Sequence, residues 1–562
     1  MQAIIHRPSQ QEMLALLETA DPEQEWVLDT ETDGLEVIGH AAKHSAWWIG
    51  LMPLGTPNVF IISIEEYNDW GLESAFKGMH FIGHNLRFDL HALNLPSAYN
   101  GHWRDTMIAA YFAHTSGRHS MDHIAKVNGW ENIETPYLLK QGRIGEMPKQ
   151  QLFQYLANDC LITACMAMRF QMDAANFDYQ VDAAVYAMER RGIRLLVDQF
   201  HIVKHELAEM IEERTLALRD NGMAGNLDSP FQIAEWLLAK GRRLPYSESG
   251  RPSTSKLALQ KLADEGDTLA DMVLNYRKAV KLKTAFIDPL PKLAQDGILY
   301  PRTNITRTKT GRFSCDSPNL QQIPKRGPLG KALRGCMTSR DHSGVVACDF
   351  SQVELRVAAA FANEPVLLEA FASGRCPHTE VAAKMVGKRP EDITPDERFK
   401  AKAVNFGILN GMGAKRLAFE LKTDKATANR FLMDYKRNLS SLHHWMEGVW
   451  REAEAFRLAR TIAGRTRIFS STEDIRSAVS VLVQGSAAEI MRHALVAVHE
   501  RCLEPILSVH DEILIPGSGQ IDSRAEELRE VMEEAADNAY PDAFSSVKFQ
   551  ASSSIGGTWG DV

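Results

Sequence analysis

Two apolar segments that run into acidic residues lie far apart in the C-terminal part of the chain. GVVACDFS has the composition of a buried strand and places Asp349 near its end. ILSVHDEILIP places Asp511 and Glu512 in the turn between two apolar runs, as in a β-hairpin. Long helical patterns occupy the sequence between them. This order predicts one large unit of strands and helices that interleaves its parts, rather than two separate domains.

The N-terminal part has a different pattern. Over about 180 residues, short apolar runs alternate with helical patterns, which is typical of an α/β unit. WVLDTETDGL predicts a buried strand, MHFIGHNLRFDLHAL a strand followed by a helix, and QLFQYLANDCLITACMAMRF a helix. A mostly helical stretch follows to about residue 300. At 562 residues the chain exceeds one hydrophobic core, so we expect roughly three to five packed units.

Composition excludes several classes of protein. Hydrophobic residues make up 44% and charged residues 24%, the balance of an ordinary globular protein. No stretch of ~18 apolar residues indicates a membrane span, and the N-terminus lacks the features of a signal peptide. The seven cysteines have neither zinc-site nor disulfide-framework spacing. We therefore expect a protein of the reducing cytoplasm that does not contact a membrane.

Charge is distributed unevenly. The formal net charge is −9, yet residues 301–340 contain nine Lys and Arg residues and a single acid, Asp316. Binding follows such local patches rather than the total charge, so this segment suits a polyanion. A solvated loop face would have the same composition, and charge alone does not distinguish the two.

Four N-terminal acids occur in a pattern that predicts a metal site. Asp29 and Glu31 are two residues apart on the predicted strand, so their side chains share a face. Asp89 follows the next strand, and Asp159 lies four residues after Tyr155 on a predicted helix. Converging carboxylates need hard cations, Mg²⁺ or Mn²⁺, and two such ions support phosphodiester hydrolysis. Each acid taken singly fits a helix cap or a solvated charge equally well.

In combination, the motifs D-x-E, N-x-x-x-D and Y-x-x-x-D resemble the proofreading 3′→5′ exonucleases of the DEDD type, tyrosine subclass. The segment DTMIAAYFAHTSGRHSMDHIA is also similar to that family's middle segment. The resemblance implies an RNase H-like domain in which four acids hold two metal ions and the tyrosine orients the attacking water. The matched residues are Asp29, Glu31, Asn85, Asp89, Tyr155 and Asp159.

A cationic helix face is predicted in DERFKAKAVNFGILNGMG. Arg398, Lys402, Phe406 and Asn410 follow one another at four-residue steps, hence along one face. Two cations followed by an aromatic ring suit a triphosphate and then a sugar or base. An amphipathic surface helix would explain the cations but not why Phe406 lies on the same side.

DFSQVELR, R-x-x-x-K-x-x-x-F-G and VHDE resemble the three polymerase motifs of the family A DNA polymerases, the group of bacterial DNA polymerase I. TGRFSCDSPNLQQIPKR, RSAVSVLVQGSAAEIM, PSTSKLALQKL and YRKAVKLKTAF are similar to further segments of that family. The resemblance implies a multidomain α/β and α+β chain, with a right-hand polymerase domain after the exonuclease domain. The implied domains are an exonuclease over 1–180 and a polymerase over 181–562, with thumb about 200–300, palm about 301–365 and 465–562, and fingers about 366–464.

The resemblance also implies roles. Asp349 and Asp511, supported by Glu512, would ligate two Mg²⁺ ions, with Mn²⁺ as the alternative, while a primer 3′-hydroxyl attacks the α-phosphate of a deoxynucleoside triphosphate. Lys402 would protonate the departing pyrophosphate, and Glu354 would exclude a 2′-hydroxyl. The residues expected to bind the nucleotide are Arg398, Lys402, Phe406, Asn410, Glu354, Gln352 and His378. The residues expected to bind primer–template DNA are Arg312, Asn319, Gln321, Arg326, Arg476, Gln484 and His510.

Two positions depart from the family pattern. Asn410 stands where a tyrosine is usual, and Ser480 stands where an asparagine is usual. A neutral replacement covered by its neighbours and a pocket adapted to an unusual base are both compatible with Asn410. Residue 29 already belongs to the exonuclease motif, so we expect no 5′ nuclease domain.

The sequence leaves three alternatives to a proofreading replicative polymerase. An exonuclease whose C-terminal half only grips DNA would not need the polymerase acids, and a non-enzymatic scaffold would need neither set. Within the family, an intact proofreading site without a 5′ nuclease indicates a replicative enzyme, from a bacteriophage, rather than a repair enzyme. We expect a monomer whose partners include a primase-helicase.

Overall fold

The computed structural model describes residues 2–34, 38, 46–76, 78–95, 103–130, 134–247 and 249–562. Within these ranges the chain forms an N-terminal α/β unit, a helical region and a C-terminal unit built on a four-stranded sheet. The largest buried apolar cluster includes residues from both the N-terminal and C-terminal units.

The N-terminal unit is a mixed six-stranded sheet with helices packed on it. Its strands are β1 Ile4–His6, β2 Glu25–Thr32, β3 Ala46–Pro53, β4 Asn58–Ser63, β5 His80–Gly83 and β6 Trp103–Asp105, in the order β1-β4-β3-β2-β5-β6. Its helices are α1 Gln10–Thr19, α2 Ile64–Asp69, α3 Leu72–Phe76, α4 Leu86–Ala92, α5 Thr106–Ala113, α6 Met121–Asn128, α7 Tyr137–Lys140 and α8 Lys149–Arg169.

Helix α8 lies across the centre of this sheet because both surfaces are apolar. Val27 of β2 packs in one buried cluster with Leu156 and Cys160 of α8. Gly50 of the neighbouring β3 also approaches α8 closely, because a Cβ there would lie 2.9 Å from Cys160 Sγ. Burial of this face brings the acids near the end of β2 beside the middle of α8.

A helix and a small sheet lead into the helical region. The connecting helix is α9 Asn176–Arg191, and the sheet consists of β7 Ile193–Leu195, β8 Ile298–Leu299 and β11 Met337–Thr338. The helical region is α10 Val197–Asp220, α11 Pro230–Ala239, α12 Lys256–Asp264, α13 Thr268–Leu282, a π-helical turn Lys283–Ile287 and α14 Leu290–Leu293. It has its own buried apolar cluster.

The C-terminal unit contains an antiparallel sheet in the order β15-β16-β12-β17. These strands are β12 Val345–Phe350, β15 Leu507–Val509, β16 Glu512–Pro516 and β17 Ala551–Gly556. The remaining strands are β9 Arg302–Asn304, β10 Ser314–Asp316, β13 Leu458–Arg460 and β14 Thr466–Ile468. The helices are α15 Pro328–Gly335, α16 Val353–Ala362, α17 Pro365–Ala372, α18 Pro377–Val386, α19 Pro395–Leu409, α20 Ala414–Glu420, α21 Lys425–Asn438, α22 Ser440–Phe456, α23 Thr472–Ile475, α24 Ala478–Glu500, α25 Ile521–Ala539 and α26 Pro541–Phe544.

The pairing of β12 confirms the predicted interleaving. This strand pairs on both sides with strands from the end of the chain, β16 and β17, while helices α16–α24 form the excursion between them. The predicted hairpin is also present as β15 and β16, with Asp511 in its turn, but Glu512 is the first residue of β16 rather than part of the turn. One expectation needs correction, because α19 ends at Leu409 and Asn410 is its C-cap rather than a further residue of the helical face.

Among the helices of the described ranges, α24 is long and apolar enough to cross a membrane by length and composition. Most of it is buried inside the protein, as expected of a helix at the centre of a packed unit.

Candidate active sites

The structure brings the four predicted N-terminal acids together. Carboxylate oxygens of Asp29 and Glu31 on β2 and of Asp159 on α8 lie within 4.8 Å of one another. Asp89 of α4 joins them through Thr30, whose backbone nitrogen and hydroxyl donate to Asp89 Oδ1 at 2.9 and 2.7 Å. Thr30 was not predicted as part of the site, although it separates the two acids of the D-x-E motif.

The electrostatics of this cluster fit a divalent cation. Burial raises the pKa of Asp29 well above its usual range, and the charges of Asp89, Asp159 and Glu31 raise it further. Burial also raises the pKa of Asp89 and of Asp159 to about 7 each. Among the described residues, no Lys or Arg forms an ion pair with these four acids. Oxygen ligands with uncompensated negative charge are the donor set of hard metal ions.

Tyr155 and Asn85 occupy the positions that the motifs predict. Tyr155 lies one turn before Asp159 on α8, and its hydroxyl is 3.4 Å from Thr135 Oγ1. Burial and the neighbouring charge of Asp159 raise the pKa of Tyr155, so its phenol remains a hydrogen-bond donor. Asn85 has a left-handed backbone (φ 67°) and precedes α4, and its backbone nitrogen donates to Asp105 Oδ1 at 3.2 Å. Asp105, which we did not predict as a site residue, thereby fixes the turn that delivers Asp89.

The C-terminal acids also converge. Asp349 at the end of β12 pairs directly with Glu512 of β16. The carbonyl of Asp511, in the turn before β16, accepts a hydrogen bond from Phe350 N at 3.1 Å. Burial raises the pKa of Asp511; Arg312 opposes this shift and the charge of Asp349 adds to it. Two adjacent carboxylates at the end of a rigid sheet also fit divalent cations.

A lysine that sequence reasoning did not assign contacts this second cluster. Lys325 Nζ lies 2.8 Å from Glu512 Oε1 and 3.2 Å from Asp349 Oδ2. Arg334 Nη1 lies 3.9 Å from Glu512 Oε2, and its guanidinium stacks over the ring of Trp559. The basic segment 301–340 was the sequence signal for these two cations, and Lys325 also lies in the family-like segment TGRFSCDSPNLQQIPKR.

The nucleotide-binding residues predicted on α19 lie beside α18. Thr394 begins α19 with a capping box to Glu397 and with proline at the first helical position. Lys402 Nζ lies 5.9 Å and the His378 ring 5.6 Å from the centre of the Phe406 ring.

Arg398 and His378 make the other polar contacts around Lys402 and Phe406. Arg398 Nη2 donates to Cys376 Sγ at 3.3 Å, a contact that the sequence did not predict. Burial and the charges of Lys402 and Arg398 lower the pKa of His378 to about 4, so this imidazole is neutral at pH 7. The surface therefore combines two cations, an aromatic ring and a neutral histidine.

Glu354 and Arg312 contact each other, although the sequence assigned them to sugar and to DNA respectively. Glu354 is buried at the start of α16, and Arg312 Nη2 donates to its carboxylate. Gln352 precedes this helix with a left-handed backbone, φ 57°. The Arg312 guanidinium also opposes the rise in the pKa of Asp511, so one cation acts on both acids.

Asn410 turns towards α24 and contacts the other residue that departs from the family pattern. Its Oδ1 accepts from Gln484 Nε2 at 2.5 Å and from Ser480 Oγ at 3.4 Å. Its Nδ2 donates to the Phe406 carbonyl at 2.8 Å. The two unusual residues therefore form one polar group with Gln484.

The remaining predicted DNA-binding residues lie in turns and loops of the C-terminal unit. Gln321 Nε2 donates to the Ser508 carbonyl at 3.2 Å, which ties its loop to β15. Asn319 has a buried Oδ1 that no group in the described ranges hydrogen-bonds, and Arg326 is exposed. Arg476 follows α23, and its carbonyl accepts from Trp450 Nε1 at 3.4 Å. His510 takes the left-handed conformation, φ 57°, in the turn that presents Asp511.

Comparison with known protein families gives two matches that divide the chain. Residues 8–175 match the model of a 3′-5′ exonuclease, and residues 197–561 match that of DNA polymerase family A. Among curated proteins, DNA polymerase I, thermostable, of Thermus filiformis is 35% identical over 374 residues, covering 63% of this chain and 44% of that protein. DNA polymerase I of Synechocystis sp. is 30% identical over 463 residues, covering 73% of this chain and 46% of that protein. The chain thus spans about half the length of these relatives.

Among solved structures, the chain is similar to one described as the POL domain of Pol1 from M. smegmatis in complex with DNA primer-template and dNTP. The similarity has a TM-score of 0.84 and covers 100% of this chain and 99% of the other. Sequence identity is 22%, so this comparison concerns the fold.

Proposed function

Since the chain belongs to DNA polymerase family A and carries a 3′-5′ exonuclease domain ahead of its polymerase domain, we propose that it has two activities. It extends a primer 3′ end with deoxynucleoside triphosphates on a DNA template, and it removes nucleotides from that end. The observation that carries the proposal is the presence of two separate carboxylate clusters, one around Asp29 and one around Asp349, on different sheets. Each cluster lies beside residues suited to its own reaction.

At the synthesis site, Asp349 and Asp511 would hold two Mg²⁺ ions. When bound, such ions activate the primer 3′-hydroxyl and neutralise the charge that develops on the phosphate. Arg398 and Lys402 bind the triphosphate, and Lys402 supplies a proton to the leaving pyrophosphate. Phe406 packs against the incoming sugar.

The neutral His378 and the residues near the DNA complete this site. Gln352 and Glu354 lie next to the sugar, where Glu354 leaves no room for a 2′-hydroxyl. The residues predicted to bind DNA contact the template–primer duplex through its minor groove, which presents acceptors at every base pair. These residues are Arg312, Asn319, Gln321, Arg326, Arg476, Gln484 and His510.

At the degradation site, Asp29, Glu31, Asp89 and Asp159 would hold the metal ions, and Tyr155 would orient the attacking water. Its protonated phenol is a donor beside Asp159, which supports this role. Four buried acids with no ion-paired Lys or Arg among the described residues would be stabilised as carboxylates by bound metal, so we expect degradation to depend on divalent metal.

We propose domain limits of 1–180 for the exonuclease and 181–562 for the polymerase. Thumb, palm and fingers then follow as predicted, with the palm built on β12 and its partners. Mg²⁺ as the metal, primer–template DNA and deoxynucleoside triphosphates as ligands, and a cytoplasmic location belong to the same proposal. The monomeric state, the primase-helicase partner and the replicative bacteriophage role stay predictions of the sequence.

Separation of the two activities tests the proposal. Replacing Asp29 and Glu31 with Ala should abolish degradation of a labelled 3′ end while primer extension continues, since the second cluster is intact. Asp349→Ala should abolish extension and spare degradation, and a chelator should stop both. The urea midpoint of each variant controls for folding. Loss of both activities in a folded Asp29→Ala/Glu31→Ala protein would contradict the two-site proposal.

A further inference from the structure

The two carboxylate clusters differ in whether a positively charged side chain contacts them. In the described part of the chain, the cluster around Asp29 has no Lys or Arg in ion-pair distance of its acids. The cluster around Asp349 has Lys325, whose Nζ bridges Asp349 Oδ2 at 3.2 Å and Glu512 Oε1 at 2.8 Å. A lysine in this position competes for the same oxygen that a metal ion needs.

The backbone around Lys325 is attached to the sheet that carries these acids. Gln321, four residues earlier, donates to the Ser508 carbonyl of β15 at 3.2 Å. Arg334 Nη2 donates to the Ile323 carbonyl at 3.0 Å. The anchored loop therefore keeps the base of the Lys325 side chain beside the cluster. The side chain is 52% exposed, so its end is free to leave Asp349 without a rearrangement of the core.

We propose that Lys325 is a resident counter-ion of the synthesis site that competes with the first divalent metal for Asp349. The inference rests on the function proposed above. A magnesium ion binds oxygen at about 2.0–2.1 Å, so it and the ammonium group cannot share Asp349 Oδ2 closely without strong repulsion. Glu512 holds the shorter contact and retains the lysine when the metal binds. The synthesis site consequently needs more metal than the degradation site, which has no such competitor.

Direct metal binding measures this competition without catalysis. The background is the full chain carrying Asp29→Ala/Glu31→Ala, in which most metal binding at the degradation site is lost. This protein is titrated with Mn²⁺, and electron paramagnetic resonance measures the concentration of free Mn²⁺. Adding Lys325→Met should tighten the remaining site by about tenfold, because a half-exposed unit charge at this distance is only partly screened. Lys325→Arg keeps the charge and should stay near the parent value.

Two further variants make the result specific. Lys204→Met removes the same charge from an exposed position of α10 and should leave Mn²⁺ affinity unchanged. Lys325→Gln repeats the charge removal with a polar side chain, and it replaces Lys325→Met if the urea midpoint shows that the latter is unfolded. In the chain with both clusters intact, Lys325→Met should lower the Mg²⁺ concentration for half-maximal extension and leave that for degradation unchanged.

The outcomes distinguish the inference from the function on which it rests. If Asp349→Ala in the same background leaves Mn²⁺ binding intact, the metal assignment and the proposed synthesis site are both wrong. If Asp349→Ala abolishes binding but neither neutral Lys325 variant tightens it, only the counter-ion inference is overturned. Tighter binding by both neutral variants, with Lys325→Arg and Lys204→Met unchanged, supports it.

Discussion

The Glu354 side chain has two proposed neighbours, Arg312 and the sugar of the incoming nucleotide. It is buried, it is bonded to Arg312, and burial raises its pKa although Arg312 opposes the shift. A buried side chain in this position excludes substrate by volume, while its charge orients Arg312. The two effects are separable because glutamine keeps the volume and loses the charge.

Glu354→Ala should therefore admit a 2′-hydroxyl. We expect the ratio of ribonucleotide to deoxynucleotide incorporation to rise by about tenfold or more, since a pocket that excludes a hydroxyl by contact loses that contact. Glu354→Gln should keep most of the selection. Single-nucleotide primer extension measures both. An equal rise in the two variants would show that charge, not volume, selects the sugar, and no rise in either would refute the assignment.

Asn410 and Ser480 should act as a pair. A tyrosine at 410 alone breaks the hydrogen bonds to Gln484 and Ser480 and leaves Gln484 without its present acceptor. Residues in one hydrogen-bond network are coupled by about 0.5–3 kcal/mol. We therefore expect Asn410→Tyr to lower kcat/KM for nucleotide incorporation, and Asn410→Tyr/Ser480→Asn to recover part of that loss.

The same variants decide between the two interpretations of Asn410. The double-mutant cycle of Asn410→Tyr and Ser480→Asn is measured for each of the four ordinary nucleotides and for a modified purine. Equal relative efficiencies for all bases would favour a neutral replacement. A selective loss for one base would make Asn410 part of base recognition. Strict additivity of the two substitutions would contradict the proposed coupling.

At the scale of elements, the degradation site depends on the close packing of α8 on β3. Gly50 pairs with Asp29 across the sheet, and a Cβ there would lie 2.9 Å from Cys160 Sγ and 3.0 Å from Leu156 Cγ. Both neighbours belong to the helix that carries Tyr155 and Asp159. The absence of a Cβ at Gly50 thus allows the acids of the sheet and those of the helix to lie close together.

Gly50→Ala should shift α8 away from β2 and slow degradation by about tenfold to a hundredfold, because small misplacements of catalytic groups are costly. Primer extension should be unchanged, since β12 and β16 lie elsewhere. Gly448→Ala is the matched control, as a Cβ at this position of α22 meets no atom within 4 Å. The rate of 3′-end degradation provides the measurement. A Gly50→Ala protein as active as Gly448→Ala would show that the spacing is not limiting.

Local patterns predicted most elements and the family motifs predicted which acids converge, but the contacts of Lys325 and Asn410 were not predicted. The strand of Asp29, the helix of Asp159 and the hairpin of Asp511 each follow from periodicity over a few residues. The end of α19 was missed because a four-residue step continues in sequence after the helix has stopped.

The contact between Lys325 and Asp349 joins residues far apart in sequence, and so does that between Asn410 and Gln484. No periodicity within a single element encodes such pairs. They arise only when the segments pack. The family resemblance supplied the ligand acids through their motifs; Lys325 lies in one of the matching segments, but no role was assigned to it.

At the scale of the whole molecule, α9 connects the two units through buried charges. It lies between the segments that match the two family models, which end at 175 and begin at 197. Glu189 of α9 pairs with His91 of the N-terminal unit at 2.9 Å and accepts from Thr303 N of the C-terminal unit at 2.6 Å. The connecting helix is thus bonded on both sides.

Asp178, at the other end of α9, binds two arginines of the C-terminal unit. Its Oδ1 accepts from Arg465 Nη2 at 2.9 Å and from Arg492 Nη1 at 2.8 Å, and all three side chains are almost fully buried. Burial raises the pKa of Asp178, but the two arginines together hold it below its usual range. The pairing therefore stabilises the fold fully above the unfolded carboxyl pKa of about 3.9, and the contribution is lost as the pH falls through the lower folded value.

Asp178→Asn should therefore lower the free energy of unfolding at pH 7 by about 3–5 kcal/mol, because it leaves two buried guanidinium groups with one carboxylate partner, Glu489, instead of two. Asp173→Asn is the control: its carboxylate is 86% exposed and its ion pair with Arg104 lies at the surface, so the expected change is below about 1 kcal/mol. Urea unfolding of both variants measures the difference. If the two midpoints coincide, α9 does not hold the exonuclease and polymerase units together through this charge. A large loss for Asp178→Asn alone would make this buried carboxylate one of the links between them, beside Glu189.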